Sequence, residues 1–457
     1  MKSSVSKKIF AACGSLLAGN TQAATVSDWE VQPGFLMYSE TGRVSVTAPM
    51  VFFKGAVSER SRVTGDIIFD SITGATPTGQ AILGHASVPT VLTPTPGVST
   101  PAPAVVAPSY TPPVTVTSPS RALKPQRSTI PTMQKSALAA SPAGVLPTAK
   151  INDQRSALSL SYEYDVTDRG RLNAGFSYST ESDYVSTGGS LSWLQDFNQR
   201  NTTVTTSVGY TSDTITPNAI DGITGIPRPM TNVGTATGQR SDNKNTVDTL
   251  IGVTQVLSKN DLLQVNLGYS NSEGYQNDPY KRISIVDNFG EIAAVYEKRP
   301  RSRSRNTVYA KLIHNFSSNI LRLSYRGYSD NWDIGSDTVS AELRLPFQFG
   351  GVQAYIQPRV RFYRQTRASF YQPYLDNSLP IPDLASSDRR LADITSFTGG
   401  VEFGADVGKN SSFSVRVDRM VQNGTANPGT VPAAYAGVDQ IPQLTAWSAV
   451  ISYTSRF

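Results

Sequence analysis

Strict alternation of apolar and polar residues governs what this chain can fold into. Along 351–367, Val352, Ala354, Ile356, Val360 and Phe362 fall on one face. Gln353, Tyr355, Gln357, Arg359, Arg361, Tyr363, Gln365 and Arg367 fall on the other. Side chains on a strand point to opposite faces in turn, so the segment has one apolar and one polar side. The pattern returns at 158–165, 339–349, 397–407 and 413–418.

About 16 such segments, each roughly as long as a tilted membrane-spanning strand requires, are expected. They lie near 28–39, 43–57, 61–73, 154–165, 170–181, 186–197, 201–214, 244–258, 261–275, 305–316, 319–329, 336–348, 351–366, 393–407, 411–422 and 446–457. After the second segment every other connection is a tight turn, as at 58–60, 167–169, 198–200 and 408–410. The intervening connections include long ones at 74–153, 215–243, 276–304, 367–392 and 423–445. Short periplasmic turns alternating with longer external loops are the rhythm of an outer-membrane barrel. An even strand count places both chain ends on the periplasmic side.

Alternation also suits a soluble β-sandwich, with the apolar face turned inward. The segments are long for a sandwich, and their polar faces carry charges of both signs. Aromatic residues gather near segment ends, among them Tyr162, Tyr164, Phe176, Tyr178, Phe347 and Phe349, where a membrane girdle would lie. Trp447, Ala449, Ile451 and Tyr453 alternate up to terminal Phe457, which resembles the signal read by the outer-membrane assembly machinery, although Ser455 is smaller than that pattern often has. The expectation is an all-β transmembrane antiparallel barrel of about 16 strands, within a range of 14 to 18.

The N-terminus supports export. Lys2, Lys7 and Lys8 precede a short apolar stretch at 9–19, and Thr21-Gln22-Ala23 offers small residues for cleavage near Ala23 or Ala24. This predicts a signal peptide at 1–23 and a barrel at 24–457. Cys13, the one cysteine, falls inside the signal, so the mature chain has no thiol chemistry. Phe10-Ala11-Ala12-Cys13 faintly resembles a lipoprotein box, but the apolar stretch before it is too short. A net charge of +6 over 457 residues says little about partners.

One stretch breaks the pattern. Residues 87–148 hold 13 prolines and no Asp or Glu, a composition that cannot pair into strands. Residues 86–150 are therefore expected to form a disordered external loop inserted in the barrel. An interdomain linker is the other reading, and it would leave only three strands ahead of it, a poor independent core. Val105, Val106, Tyr110, Val114 and Val116 could dock a partner, or the stretch could simply shield or tether.

The chain resembles a family of bacterial outer-membrane proteins of unknown function, the one numbered 3570. The resemblance rests on Tyr38-Ser39-Glu40 with Arg43-Val44-Ser45-Val46, on 70–77, on Glu181-Ser182-Asp183-Tyr184 with Ser186, and on Asn201-Thr202-Thr203 with Ser212-Asp213. It implies a barrel and no established activity, so no catalytic residue carries over.

Glu40, Arg43, Asp70, Glu181 and Asp183 are polar residues of those motifs, all near outer strand ends. They read either as a cluster that binds a solute or cation, with Asp66 adding an oxygen ligand, or as a salt-bridged wall. Arg322, Arg326, Arg344, Arg359, Arg361 and Arg416 should face the lumen with Glu342, Glu402, Asp406 and Asp418. They read either as an anion-favouring pore or as a bracing ladder of ion pairs. The basic run 298–305 falls in an external loop, where it would grip lipopolysaccharide phosphates or remain a solvated loop. No basic face over a folded platform points to nucleic acid. The histidines, His85 and His314, have no convergent nucleophile, and no hydrolase elbow or zinc motif stands in a supporting context, so no enzyme is expected. No cofactor is implied. The functional expectation is diffusion of a small polar or anionic solute, with a non-conducting barrel that anchors a surface or periplasmic partner as the alternative.

Overall fold

The computed structural model describes residues 29–84, 144–218, 224–426 and 428–457. The expected signal peptide, Cys13, His85 and most of the Pro-rich stretch lie outside the described residues. The strands are β1 (Glu30–Glu40), β2 (Val44–Ser58), β3 (Ser61–Pro77), β4 (Thr148–Asp165), β5 (Gly170–Thr180), β6 (Tyr184–Phe197), β7 (Thr202–Ile215), β8 (Asp242–Val256), β9 (Asp261–Gly274), β10 (Arg282–Asp287), β11 (Gly290–Tyr296), β12 (Ser302–Phe316), β13 (Asn319–Asp330), β14 (Gly335–Phe349), β15 (Val352–Gln365), β16 (Leu375–Asp376), β17 (Asp393–Asp406), β18 (Ser411–Thr425) and β19 (Leu444–Arg456).

Sixteen of these close into one antiparallel barrel, and β10, β11 and β16 form a separate three-stranded sheet. The barrel seam is β1 on β19, with Phe35 opposite Ile451 and Met37 opposite Ala449. Terminal Phe457 donates its N–H to the Trp29 carbonyl at 2.9 Å, and Arg456 meets Glu30 at 2.8 Å. Both ends of the described chain therefore lie at the short-turn end, as even parity requires.

The apolar face of the alternation points outward. Leu160, Phe176, Leu191, Ile251, Leu267, Val339 and Phe397 are all exposed on the outer wall. In water such a surface would be prohibitive, whereas in lipid it is the favoured one. No helix among the described residues is long and apolar enough to cross a membrane, and here the strands do so.

Two expectations change. Residues 148–150, assigned to the Pro-rich loop, open β4 instead, pairing Thr148 with Pro77 and Lys150 with Ala75. The partner strand β3 correspondingly runs on to Pro77, so the β3–β4 hairpin extends beyond its expected end. The loops at 276–304 and 367–392 are not plain connections, since they contain β10, β11 and β16.

Those loops hold the tightest core of the molecule. Trp332, only 2% exposed, packs edge-on against Phe370 at 5.1 Å, among Ile334, Tyr371, Leu391 and Ile441. A second cluster joins Ala81, Val286, Tyr374 and Tyr435, and a third joins Ile283, Val295, Leu375 and Ala385. Each cluster draws residues from loops rooted at different strands. Within this assembly Gly144 donates its N–H to the Leu83 carbonyl at 2.7 Å.

Topology shows what the loops cover. β3 and β12 stand seven places apart in the ring of 16, nearly opposite each other. Strand spacing and tilt make such a barrel roughly 30 Å across. Yet Arg282, on the loop leading to β12, donates its N–H to the Thr78 carbonyl just past β3 at 2.9 Å. The 428–443 loop meets the same β3 extension, with Gly84 N–H on the Ala434 carbonyl and Ile82 N–H on Gln440 Oε1. The loops bridge the mouth and form a folded cap.

Candidate functional site: a capped polar lumen

The register assigns three faces to the lumen wall. From β4 to β9 it is built of small hydroxyl residues and glycines, as in the row Ser159, Ser177, Gly188 and Thr211. From β12 to β18 it is rich in arginine. From β19 to β3 it carries an apolar band, Val450, Leu36, Val46, Met50 and Ile68, among polar residues such as Ser448, Asp66 and Asp70. The apolar band was not expected. Its signal is present in the sequence, because Phe35–Tyr38, Met50–Phe53 and Ile67–Phe69 are apolar at consecutive positions and so on both faces.

All ten residues expected in the lumen face it. Arg322 stands opposite Glu342, which stands opposite Arg359. Glu402 stands opposite Arg416, and Gly400 opposite Asp418. Arg326, Arg344, Arg361 and Asp406 share the same inward parity, Asp406 near the short-turn rim. Arg359 reaches Glu342 and Asp418, each at 3.7 Å, and Arg416 meets Asp418 at 3.3 Å. Arg322 donates to Gln357, whose amide donates to Glu342. Arg344 sits over the Tyr355 ring, 3.5 Å from its centre, while the Tyr355 hydroxyl donates to Glu402 at 2.6 Å. Much of the expected ladder is thus charge-paired, although Arg416 Nε and Asp418 Oδ1 make no hydrogen bond.

A cavity of about 700 Å³ lies in the lumen along the hydroxyl wall and the adjoining strands β12 and β13. Its lining runs along adjacent strands from β4 to β13, through Ser190, Gly209, Asp248 and Asn266 to Tyr309 and Arg326. Gly175, Gly209 and Gly268 add no side chain to this part of the wall, which leaves the space open.

The motif residues separate into two groups. Asp70, Glu181 and Asp183 come together at the long-loop end, joined by Asp153 and Arg155, neither of which the motifs contained. Arg155 meets Asp70 at 2.5 Å and Glu181 at 4.0 Å. Asp153, Glu181 and Asp183 bring carboxylate oxygens within 4.8 Å of one another. Burial raises the pKa of Glu181, and the charge of Asp153 adds to the rise against the pull of Arg155. Burial likewise raises that of Asp183, although the Tyr280 hydroxyl donates to its carboxylate. The cluster has the donor set of a hard cation, partly neutralised by arginine. Glu40 and Arg43 sit apart at the β1–β2 turn, where Tyr38 donates to Glu40 and Arg43 to the Pro442 carbonyl. Asp66 lies further down the wall and accepts from Ser159.

The basic run is mostly drawn inward. Arg299 lies between Glu297 at 2.7 Å and Asp388 at 2.9 Å, all three nearly buried. Arg303 meets Asp330 at 2.6 Å and stacks on Trp332, and Arg305 donates to Ser270 and Ser272. Arg301 alone of the four arginines stays largely exposed, against Asp242. Burial raises the pKa of Glu297. Asp388 is equally buried, but Arg390 and Arg299 outweigh that and hold its carboxyl far below the usual range. These residues clamp the two longest described segments of the cap together. At the short-turn rim His314 pairs with Asp261 at 2.6 Å, and Ser258 donates to that same carboxylate rather than to the imidazole.

A closed barrel with a lipid-facing apolar wall, a polar lumen and a folded cap defines a transmembrane β-barrel of the outer-membrane type. The profile of the family described as "Protein of unknown function (DUF3570)" matches residues 7–455, and the chain belongs to that family. Solved barrels resemble it in architecture at low sequence identity. A bacterial polysaccharide outer membrane secretin is 7% identical, with a TM-score of 0.43 over 95% of this chain and 100% of that one. OccK2 (OpdF) of Pseudomonas aeruginosa, solved with glucuronate, is 8% identical, with a TM-score of 0.38 over 94% of this chain and 98% of that one. CdiB from Acinetobacter baumannii is 12% identical, with a TM-score of 0.36, and this chain spans 57% of it. Among curated proteins no match is found.

Proposed function

We propose that the protein is an outer-membrane channel for small polar or anionic solutes, with its external mouth narrowed by the folded cap. The lumen carries this reading. It holds a cavity of about 700 Å³ walled by hydroxyls and guanidinium groups, and such a wall replaces the hydration shell of a polar solute at low cost. Export by the segment 1–23 and assembly through the strand ending at Phe457 complete the proposal. Lys298 and Arg301, at the cap surface, are the residues of the basic run still placed to meet lipopolysaccharide phosphates.

The test is refolded protein in planar bilayers. Discrete conductance steps with preference for anions are expected. The bridged mouth favours a second reading, a non-conducting barrel that presents the cap to a partner. Silence at every voltage, with the barrel still shifting its gel mobility on heating, would establish that reading instead.

A further inference from the structure

We infer that Lys311, Arg326 and Arg361 form the path on which the lumen selects a small hydroxylated anion, and that the remaining lumen arginines brace the wall. The inference rests on the channel reading above.

The register places the three side chains together. Lys311 stands opposite Ser324, Ser324 opposite Ser340, and Ser340 opposite Arg361, so these four share one row across β12–β15. Arg326 lies one step nearer the cap, opposite Tyr309 on β12 and Thr338 on β14. It is a diagonal neighbour of Lys311, a spacing of about 7–8 Å. Arg326 also lines the lumen cavity, and the row lies one step further from the cap.

What separates these cations from their neighbours is occupancy. Arg303 is held by Asp330, Arg359 by Glu342 and Asp418, and Arg416 by Asp418. Arg322 is spent on Gln357, Arg305 on Ser270 and Ser272, and Arg344 on the Tyr355 ring. Among the described residues no carboxylate lies within ion-pair distance of Lys311, Arg326 or Arg361, and Arg361 has only the Tyr363 ring at 5.6 Å. Cations without a carboxylate, on a wall whose low dielectric strengthens their field, attract a mobile anion. The hydroxyls of Ser324, Thr338 and Ser340 stand between them and can exchange hydrogen bonds with hydroxyl groups on the solute. Asp248, three strands along the same wall on β8, also lines the cavity; it accepts a further solute hydroxyl and disfavours a high negative charge.

Reversal potentials in gradients of potassium chloride and potassium lactate test the assignment. The wild type should prefer anions and pass lactate. The variant combining Lys311→Gln, Arg326→Gln and Arg361→Gln should lose that preference, and Arg326→Lys should keep it. If the triple variant does not reach the heat-shifting barrel form, the three single variants report the same loss in part. A conducting wild type whose anion preference survives the substitutions overturns the inference and leaves the channel reading standing, as does a cation-selective wild type. A wild type without conductance overturns the channel reading itself, and this path with it.

Discussion

Removing one guanidinium should open the cap. Arg299 contacts Glu297 at 2.7 Å and Asp388 at 2.9 Å, and its own side chain is 10% exposed. Arg299→Met keeps much of the stem and deletes the charge. Breaking a buried ion pair by removing one partner costs about 3–5 kcal/mol, because the other partner is left buried and uncompensated. Here the lower end applies. Asp388 keeps Arg390 at 2.5 Å. Glu297, whose pKa burial already raises, can take up a proton, and it retains the Ser386 hydroxyl and the Asp278 N–H as partners. A loss of about 3 kcal/mol corresponds to roughly 150-fold. Hydrogen exchange reads it directly, because cap opening exposes the amides of β10 and β11 while the barrel ladder stays protected. Exchange at 283–286 and 293–296 should accelerate by that factor, and adding Glu297→Gln should restore most of the protection. If protection there changes by no more than the roughly 0.5 kcal/mol scatter of independent sites, the network does not hold the cap.

A Cβ at Gly400 would lie 1.9 Å from Asp418 Oδ1 and 2.7 Å from the Val417 carbonyl, whereas at Gly399 the nearest atom, on Phe397, is 3.5 Å away. Gly400→Ala should therefore cost about 1–3 kcal/mol in a urea refolding titration, and Gly399→Ala should stay within about 0.5 kcal/mol; equal costs would show that Asp418 does not pin the wall. The pKa values of Glu181 and Asp183 are raised above their ordinary 4.5 and 3.8, so their contribution to stability is full below those values and is lost as pH rises through the shifted ones. Protection of the 181–184 amides, corrected for intrinsic exchange, should fall from pH 4 toward neutrality, and Asp183→Asn should flatten the profile; protection that rises with pH would reverse the assignment.

Much of the barrel is legible because its cause is local. Leu158, Leu160, Tyr162 and Tyr164 must share a face once the segment is a strand, whatever it pairs with. The same argument assigns Arg322, Arg359 and Glu402 to the lumen before any neighbour is known. The cap is illegible for the opposite reason. Ile285 pairs in parallel with Leu375, 90 residues later in the chain. Trp332 is buried by Phe370 and Leu391 from another loop. The β-branched runs of 282–296 around Asp287–Gly290 carry a hairpin signal, but nothing local says that the hairpin packs on distant loops.

The sequence by itself determines an alternating wall, an even number of strands near 16 and which side chains share a face, since these follow from period-two alternation and turn spacing; the aromatic girdles and the C-terminal strand then turn the apolar face to lipid. Only the tertiary structure decides what those lumen side chains are free to do. Arg299 and Arg326 are both arginines of the same chain. A neighbouring carboxylate, Glu297, and a distant one, Asp388, neutralise the first, and the register gives the second no acidic partner. A charge acts on a solute only when no neighbour has neutralised it, and that depends on contacts the alternation does not encode.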